Sequence, residues 1–596
     1  MMGDQIHKAK EIIISVCMGT AGIAAGSSEV MEAFDQAIRE YGITAKLKPR
    51  IHKVGCRGFC AKDVLVDVTI DGVTLTYQFV TPKKAEKIVD KHILGGEPIT
   101  EWLVEDDYQE FNRKQQKLVL KYCGIIDPES IDEYIKVGGY SSLEKALAMD
   151  PEEVIDIIKK SGLRGRGGGG FPTGVKWESC RKAEGEVKYV LCNADEGDPG
   201  AFMDRSVIEG NPHSVIEGMI IGAYAIGSSQ GYVYIRAEYP LAVERLKIAL
   251  DQARKRGFLG RNLLGRGFNF DIKIVLGAGA FVCGESTALM NSIEDKRGEP
   301  RPKYVHTVEK GLWGRPSNLN NVETWANVPM IIEKGAEWYA NIGSEKSKGT
   351  KIFSLVGKIR NTGLVEVPMG IPLRDIIFEI GGGIPGNKKL KAVQTGGPSG
   401  GCIPASLLDI PVDYEHLSEV GSMMGSGGMI VMDEDTCMVD VAKYYVQFCL
   451  NEGCGQCTPC RDGLAQMVRL LEEITRGKAN PEHISLLEEL SEVIKDTSLC
   501  GLGKTAPNPV MSTLRYFRDE YLAHILDKRC PAGVCKALTT FVIDRDKCTG
   551  CMVCARNCPV NAIKGEKKQP HFIDQEKCVK CRTCYEKCKF DAVMIM

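Results

Sequence analysis

The sequence contains no uninterrupted apolar run of 18 residues, so no membrane-spanning helix is expected. It lacks a charge excess as well: 76 basic residues stand against 78 acidic ones, a formal net charge of -2. A nucleic-acid-binding chain would carry a basic excess or stripe, and that class is set aside. His7, Lys8 and Lys10 precede a mostly apolar stretch from Ile12 to Gly26, which loosely mimics a secretory leader. Glu11 abuts that stretch, glycines interrupt it and Cys17 lies inside it. Residues 12–16 read instead as a buried strand, and a cytoplasmic location is expected. With 596 residues, 43% hydrophobic and 26% charged, the chain reads as a globular protein of about four or five domains.

Cysteine is what the sequence has in quantity, unevenly placed. Residues 1–436 hold eight of the 24, and residues 437–596 hold sixteen. A disulfide scaffold would be a short secreted chain. Here the dense part is the tail of a large one, and its C-x2-C groups suit metal or cluster ligation. DKCTGCMVCARNCPVNAI and EKCVKCRTCYEKCKFDAV align residue for residue as C-x2-C-x2-C-x3-C. In such a duplication three thiolates converge on one [4Fe–4S] cube and the fourth points at the neighbour. Cys548, Cys551 and Cys554 are therefore expected to pair with Cys588, and Cys578, Cys581 and Cys584 with Cys558. Cys454, Cys457 and Cys460 need a distant fourth ligand. Cys500, one helical pair further on, completes a third [4Fe–4S] site, with zinc as the alternative on spacing alone. Cys17, Cys56 and Cys60 offer three of the four ligands of a [2Fe–2S] rhomb, which leaves a cluster and a redox-inactive fold both open. Cys530 and Cys535, with His524 and His571, suggest a structural zinc. Cys123, Cys180, Cys192, Cys283, Cys402, Cys437 and Cys449 read as buried small hydrophobes.

The order of elements in residues 1–95 is β-α-β-β-α, with Asp71-Gly72 marking a hairpin. A linker follows over 96–117. Residues 118–340 alternate helices and strands, 341–420 are rich in short β runs, 421–525 are mostly helical and 526–596 are cysteine-rich. GLRGRGGGGFPTGVKW (162–177) holds Gly165, Gly167 and Gly170 as G-x-G-x-x-G. The segment before it reads as helix, not strand, which weakens a dinucleotide fingerprint. It is not a phosphate-binding loop of the Walker type either, since Gly174 is followed by Val175. Five glycines flanked by Arg164, Arg166 and Lys176 still make an anion cradle, with a hinge as the alternative. NADEGDPGAF (193–202) follows a strand end and brings Asn193, Asp195, Glu196 and Asp198 together, for ribose or ring-nitrogen hydrogen bonds, a metal or a capped turn.

GRGGGGFPTGVKW, CNADEGDPGAFMDR, GAGAFVCGESTALMNS, GLWGRPSNLNNVETWANVP and CGQCTPCRDG together closely resemble the FMN-carrying, NADH-oxidising subunit of respiratory complex I, over about 118–525. That family extends to the diaphorase subunits of soluble hydrogenases and formate dehydrogenases. The two terminal units resemble those of the beta flavoprotein subunit of multimeric, electron-bifurcating iron-only hydrogenases. The resemblance implies a multidomain α/β and α+β chain. Its parts would be a thioredoxin-like [2Fe–2S] domain (1–95), a Rossmann-like FMN and NAD(P) domain (118–340), a β-grasp domain (341–420), a four-helix-bundle [4Fe–4S] domain (421–525) and a two-cluster ferredoxin domain (526–596).

The resemblance also implies residue roles. Gly165, Arg166, Gly167 and Lys176 would hold the FMN phosphate. Asn193, Asp195 and Glu196 would bind the flavin, with Asn320 and Asn321 on its other side. Phe171 and Phe281 would frame the nicotinamide site, and Glu285 would contact the dinucleotide. Hydride would pass between nicotinamide C4 and flavin N5, then electrons through the clusters to ferredoxin. A hydrogenase catalytic alpha subunit and a small thioredoxin-like [2Fe–2S] gamma subunit are the implied partners, since this chain lacks hydrogen-activating iron motifs. Two departures stand out. Ser286 replaces the usual second glutamate after Gly284, which bears on NAD against NADP use. And the thioredoxin-like [2Fe–2S] proteins usually carry C-x4-C first, where this chain has Gly22.

Overall fold

The computed structural model describes residues 11–42, 50–302, 304 and 306–596. The chain divides into two compact units: residues 1–387, 394–397 and 406–431, and residues 388–393, 398–405 and 432–596.

The first unit begins with β1 (Ile12–Cys17), whose Ile12, Ile14 and Val16 are buried. Short α1 (Thr20–Ala24) and α2 (Ser27–Glu40) follow, then β2 (Arg50–Val54), β3 (Val66–Ile70), β4 (Val73–Tyr77) and α3 (Pro82–Ile88). The start of the second strand, expected from Lys46, and the leader-like His7, Lys8 and Lys10 lie outside the described residues. Strand order is β2-β1-β3-β4, with β2 parallel to β1 and the others antiparallel. Asp71 and Gly72 both take positive φ (50° and 84°), as a two-residue hairpin turn requires. Val30, Phe34, Ala37 and Ile38 recur along α2 at helical spacing and are buried in the core shared with the sheet.

Residues 96–117 are not a bare linker. Phe111 is fully buried with its ring 4.7 Å from that of Phe59, and the Gln116 N–H donates to the Glu366 carbonyl (2.9 Å). A polar segment carrying one large apolar side chain docks by that side chain. The N-terminal module is clamped further by Glu209, whose carboxylate accepts the Thr20 N–H (2.9 Å) and hydroxyl (2.5 Å). The buried Arg245 guanidinium donates to the carbonyls of Met18 (2.9 Å) and Glu209 (2.7 Å). Gly55 lies so close to Gly210 that a Cβ on it would collide with the Gly210 Cα.

Next come α4 (Pro151–Ser161), α5 (Thr173–Lys182), β5 (Tyr189–Ala194), α6 (Met203–Gly210), α7 (Pro212–Ile226), β6 (Gln230–Arg236), α8 (Pro240–Lys255), β7 (Asp271–Gly277), α9 (Ser286–Ile293), β8 (Ser317–Asn321) and α10 (Val322–Lys334). The four strands are all parallel in the order β7-β6-β5-β8. Helix α4 opens with an Asp150/Glu153 capping box and stops at left-handed Gly162. β9 (Thr350–Gly357) pairs antiparallel with β10 (Gly363–Pro368) and parallel with β11 (Gly428–Asp433).

In the second unit α11 (Met438–Glu452) packs on α12 (Thr458–Thr475) and on α15 (Asn508–Ile525). α13 (Glu482–Thr497) packs on α12, on α15 and on short α14 (Gly501–Thr505). The tail carries β12 (Phe541–Ile543), α16 (Val553–Arg556), β13 (Ile563–Lys564), β14 (Phe572–Ile573), α17 (Thr583–Lys587) and β15 (Val593–Ile595). β12 pairs with β15 and β13 with β14. The sequence duplication is a structural one. Met552 and Arg582, at equivalent positions, are both left-handed, and the Cys558 and Cys588 sulfurs accept the N–H groups of Ala562 and Ala592.

Candidate functional site

The parallel sheet is wound outward from β5 in two directions. At such a reversal the loops leaving two neighbouring strands diverge and open a crevice at the strands' carboxyl ends. Here those ends are Asn193-Ala194 of β5 and Asn320-Asn321 of β8. The glycine loop 164–170, between α4 and α5, meets the same edge: a Cβ on Gly167 would stand 3.1 Å from that of Asn321. Gly170 is left-handed, and a side chain there would strike the Tyr414 ring at 2.8 Å. The Tyr414 hydroxyl donates to the Gly165 carbonyl (2.6 Å), which fixes the loop from below. At Gly169 nothing lies within 4 Å of the Cβ position, so bare backbone faces open space.

The cations sort themselves. Arg166 is fully buried, and its guanidinium donates to the carbonyls of Arg164, Lys348 and Thr350 and to the Tyr339 hydroxyl. Its expected role on a phosphate is corrected: it is the internal brace of the loop. Arg164 is likewise committed, to the Gly170 carbonyl and to Glu415. Lys176 is different. Its Nζ donates to the Leu319 carbonyl (2.9 Å), and among the described residues it has no carboxylate partner. Burial pushes its ammonium down to about 8. A half-buried ammonium with no anion beside it, next to bare glycine backbone, fits a phosphomonoester.

The remaining polar residues are partly structural. Asn320 accepts hydrogen bonds from the Trp177 indole (3.2 Å) and the Asn318 amide (2.8 Å), which hold its side-chain oxygen in place. Asn321 caps α10 through the Glu323 N–H (2.9 Å) and bonds Asp204. Asn193 holds the Gly284 carbonyl (3.0 Å) and the Asp195 N–H (3.0 Å). The Glu196 carboxylate accepts from the N–H groups of Asp204 (2.9 Å) and Arg205 (3.1 Å), and burial raises its pKa. Asp198 is pushed up to about 6 by burial, against the pull of the Ser426 hydroxyl.

On the nucleotide side, a Cβ on Gly197 would stand 2.9 Å from the Phe281 ring, so that ring lies over the 195–198 loop, while Phe171 is exposed. The Glu285 carboxylate is occupied by the start of α9, accepting from the N–H groups of Thr287 (2.8 Å) and Ala288 (3.0 Å) and from the Ser286 hydroxyl (3.2 Å).

The cysteines gather into sets. Cys460 lies beside Cys454, Cys457 and Cys500. Cys454 and Cys457 sit in the loop entering α12, Cys460 in its first turn, and Cys500 caps α14. Cys554 lies among Cys548, Cys551 and Cys588, and one cavity is lined by Cys558, Cys578, Cys581 and Cys584.

A further set is only half legible in the sequence. Cys437, Cys530, Cys535 and His524 are buried, with their ligand atoms all within 4.8 Å of one another. Cys437 Sγ stands 3.8 Å from Cys535 Sγ and 3.4 Å from His524 Nε2. His524 Nδ1 bonds the Glu520 carbonyl (2.7 Å), which leaves Nε2 for a metal. Cys437 is thus not a small hydrophobe but the fourth corner of the tetrad. His571 is no part of it; its ring faces Met552 and the Gln569 carbonyl. In the N-terminal module Cys56 Sγ is 3.9 Å from Cys60 Sγ, and Cys17 touches Cys56.

Family models match the chain as the Nuo51 FMN-binding domain over 158–330 and the NADH-ubiquinone oxidoreductase-F iron-sulfur binding region over 440–524. A thioredoxin-like [2Fe-2S] ferredoxin matches 5–92, and a 4Fe-4S binding domain matches twice, at 541–564 and 571–594. The NADP-reducing hydrogenase subunit HndC of Solidesulfovibrio fructosivorans is 58% identical over 459 residues, which cover 77% of this chain and 94% of that one. The chain belongs to the family of complex I FMN subunits. Another member, the F 2 subunit of NADH-quinone oxidoreductase from Rhizobium meliloti, is 44% identical over 417 residues, 70% of this chain and 99% of that one. The crystal structure of an NAD+-reducing [NiFe]-hydrogenase in its H2-reduced state is similar at a TM-score of 0.62 and 28% identity, covering 86% of this chain and 84% of that one. As a member of the family of complex I FMN subunits, the chain is an NAD(P)H-dependent oxidoreductase subunit with FMN, [4Fe–4S] and [2Fe–2S] binding domains. No helix among its described residues is long and apolar enough to cross a membrane.

Proposed function

We propose that this chain is the flavin-carrying component of a cytoplasmic, multimeric iron-only hydrogenase. It exchanges hydride with NAD(P)H at one FMN and passes electrons through three [4Fe–4S] clusters and one [2Fe–2S] cluster to ferredoxin and the catalytic subunit. The boundaries expected from sequence, with β-grasp and helical-bundle parts in the middle, are the division this reading uses. The observation that carries it is the Lys176 ammonium, without a carboxylate partner, beside open glycine backbone at the sheet's switch point, in one chain with three preformed thiolate sets. FMN, when bound, supplies two-electron exchange with a nicotinamide and one-electron exchange with clusters. Lys176 and the N–H groups of Gly167, Gly168 and Gly169 hold its phosphate, those of Gly165 and Arg166 being spent on the Phe171 carbonyl (2.9 Å) and the Thr324 hydroxyl (2.8 Å); Asn193 and Glu196 shape the floor, and Phe281 closes the nicotinamide side. Hydride exchange itself needs no protein acid or base. The tetrad Cys437, His524, Cys530 and Cys535 holds a structural zinc.

Binding of the phosphate favours the charged form of Lys176. In the ligand-free protein that charge is lost as pH rises through about 8, so above that pH binding must take up a proton. The FMN dissociation constant should therefore be flat just below pH 8 and rise by up to about tenfold per unit above it. Lys176→Met should remove that slope and weaken binding at pH 7 by about 10- to 100-fold, the worth of one charge-assisted hydrogen bond. Fluorescence titration measures both; an unchanged slope in the variant would show that another group holds the phosphate.

The route of electrons is tested in the tail. Cys588→Ser should perturb the EPR signal of the cluster on Cys548, Cys551 and Cys554, and Cys558→Ser that of its neighbour. Dye reduction by NADH should survive either change, while ferredoxin reduction fails. Persistence of ferredoxin reduction would make these clusters a side branch.

A further inference from the structure

The N-terminal module brings three cysteines to a cluster that takes four ligands, and the position usual for the fourth thiolate is closed. A Cβ on Gly22 would stand 2.5 Å from the Cys17 carbonyl and 2.8 Å from the Ser27 hydroxyl, so no side chain enters there without moving backbone. The next residue after Cys60 able to bind iron is Asp63, with two residues between them in the same turn. The turn is formed: the Asp63 N–H points back at the Cys60 carbonyl (3.4 Å). The Asp63 carboxylate reaches the Cys17 thiol, and its Oδ1 is buried without a hydrogen-bond partner. A buried carboxylate oxygen with nothing to accept from is costly unless something absent completes it.

The spacings sort these groups by iron. Two thiolates on one tetrahedral metal, with bonds of about 2.3 Å, stand about 3.8 Å apart. Cys56 and Cys60 do so, at 3.9 Å. Cys17 lies between Cys56 and the Asp63 carboxylate, so with Cys56 and Cys60 matched to each other the remaining pair is Cys17 and Asp63. We propose that Asp63 is the fourth ligand of the N-terminal [2Fe–2S] cluster, sharing one iron with Cys17 while Cys56 and Cys60 hold the other. This rests on the reading above that the module carries a cluster. A carboxylate keeps the ligand charge of four thiolates, but it is a harder donor, so the iron it binds differs electronically from its neighbour.

The test uses the full-length protein reduced with dithionite, with EPR recorded at a temperature where [4Fe–4S] signals have broadened away. Iron, sulfide and FMN are counted in parallel. Asp63→Cys should keep the iron and shift the g-values of the remaining [2Fe–2S] signal. Asp63→Ala should lose that signal with two irons per chain, or shift it if solvent takes the place, with FMN unchanged. Unshifted g-values in Asp63→Cys overturn the assignment, whatever Asp63→Ala does, including failure to fold. A wild-type protein whose iron is accounted for by the three [4Fe–4S] clusters, with no such signal, fails the reading of an N-terminal cluster instead.

Discussion

Gly167→Val should yield protein without FMN and with its thiolate-bound clusters intact. The first added carbon already stands 3.1 Å from Asn321 Cβ, tighter than ordinary contact, and valine adds two methyl groups beyond it. Asn321 cannot yield cheaply, because it caps α10 and bonds Asp204. The strain falls on the loop, which must lift into the space where the phosphate would lie. Overpacking of this kind costs about 1–3 kcal/mol in a core. Here it also disorganises several N–H donors at once, so FMN-dependent dye reduction should fall more than about 100-fold, or about 2.7 kcal/mol. Flavin absorbance, iron content and activity of the purified variant check this. Full flavin occupancy would remove the loop from the phosphate site.

Cys437→Ser should abolish zinc binding. Structural zinc contributes about 10–16 kcal/mol to small metal-dependent folds, and a tetrahedral Cys3His site that loses one thiolate binds far more weakly. Without the metal, the thiols and the His524 Nε2 are left packed against one another in a buried site, and hydrogen bonding to neighbouring thiols, together with burial, already raises the pKa of Cys437. Zinc should fall from one per chain to near zero by elemental analysis, and the melting temperature should drop. The flavin should remain, since its residues lie in the first unit. A variant that keeps full zinc shows that Cys437 is packing, as its apolar surroundings first suggest.

Much of the molecule is legible in the sequence because local rules and tertiary structure agree. The Asp71-Gly72 turn, the apolar stripe of α2 and the three apolar strands of the parallel sheet are of this kind. The cluster cysteines are legible for another reason: a metal needs its ligands at short, repeated spacings. Strand β8 is hidden. SNLNN is a poor strand by propensity, yet it pairs with β5, with the Asn318 amide and the Trp177 indole both donating to the Asn320 side-chain oxygen inside the fold. Cys437 is hidden because it lies 93 residues from Cys530, and only the packing of α11 on α15 joins them. Its place at the head of the cysteine-dense region is the one available hint. Arg166 misleads because a basic residue between glycines looks the same whether it faces a ligand or braces the loop.

The buried clamp of Glu209 and Arg245 changes what a cut in the chain would do. Separation of the first 95 residues would strip the buried Glu209 carboxylate of the Thr20 N–H and hydroxyl, and the buried Arg245 guanidinium of the Met18 carbonyl. A protease that nicks the segment between residues 95 and 118 should therefore leave the fragments travelling as one particle on a sizing column, parting only in denaturant. The small module behaves as an inlaid piece of the flavin-binding body rather than a bead on a string, and its distance to that body is set by masonry, not by diffusion.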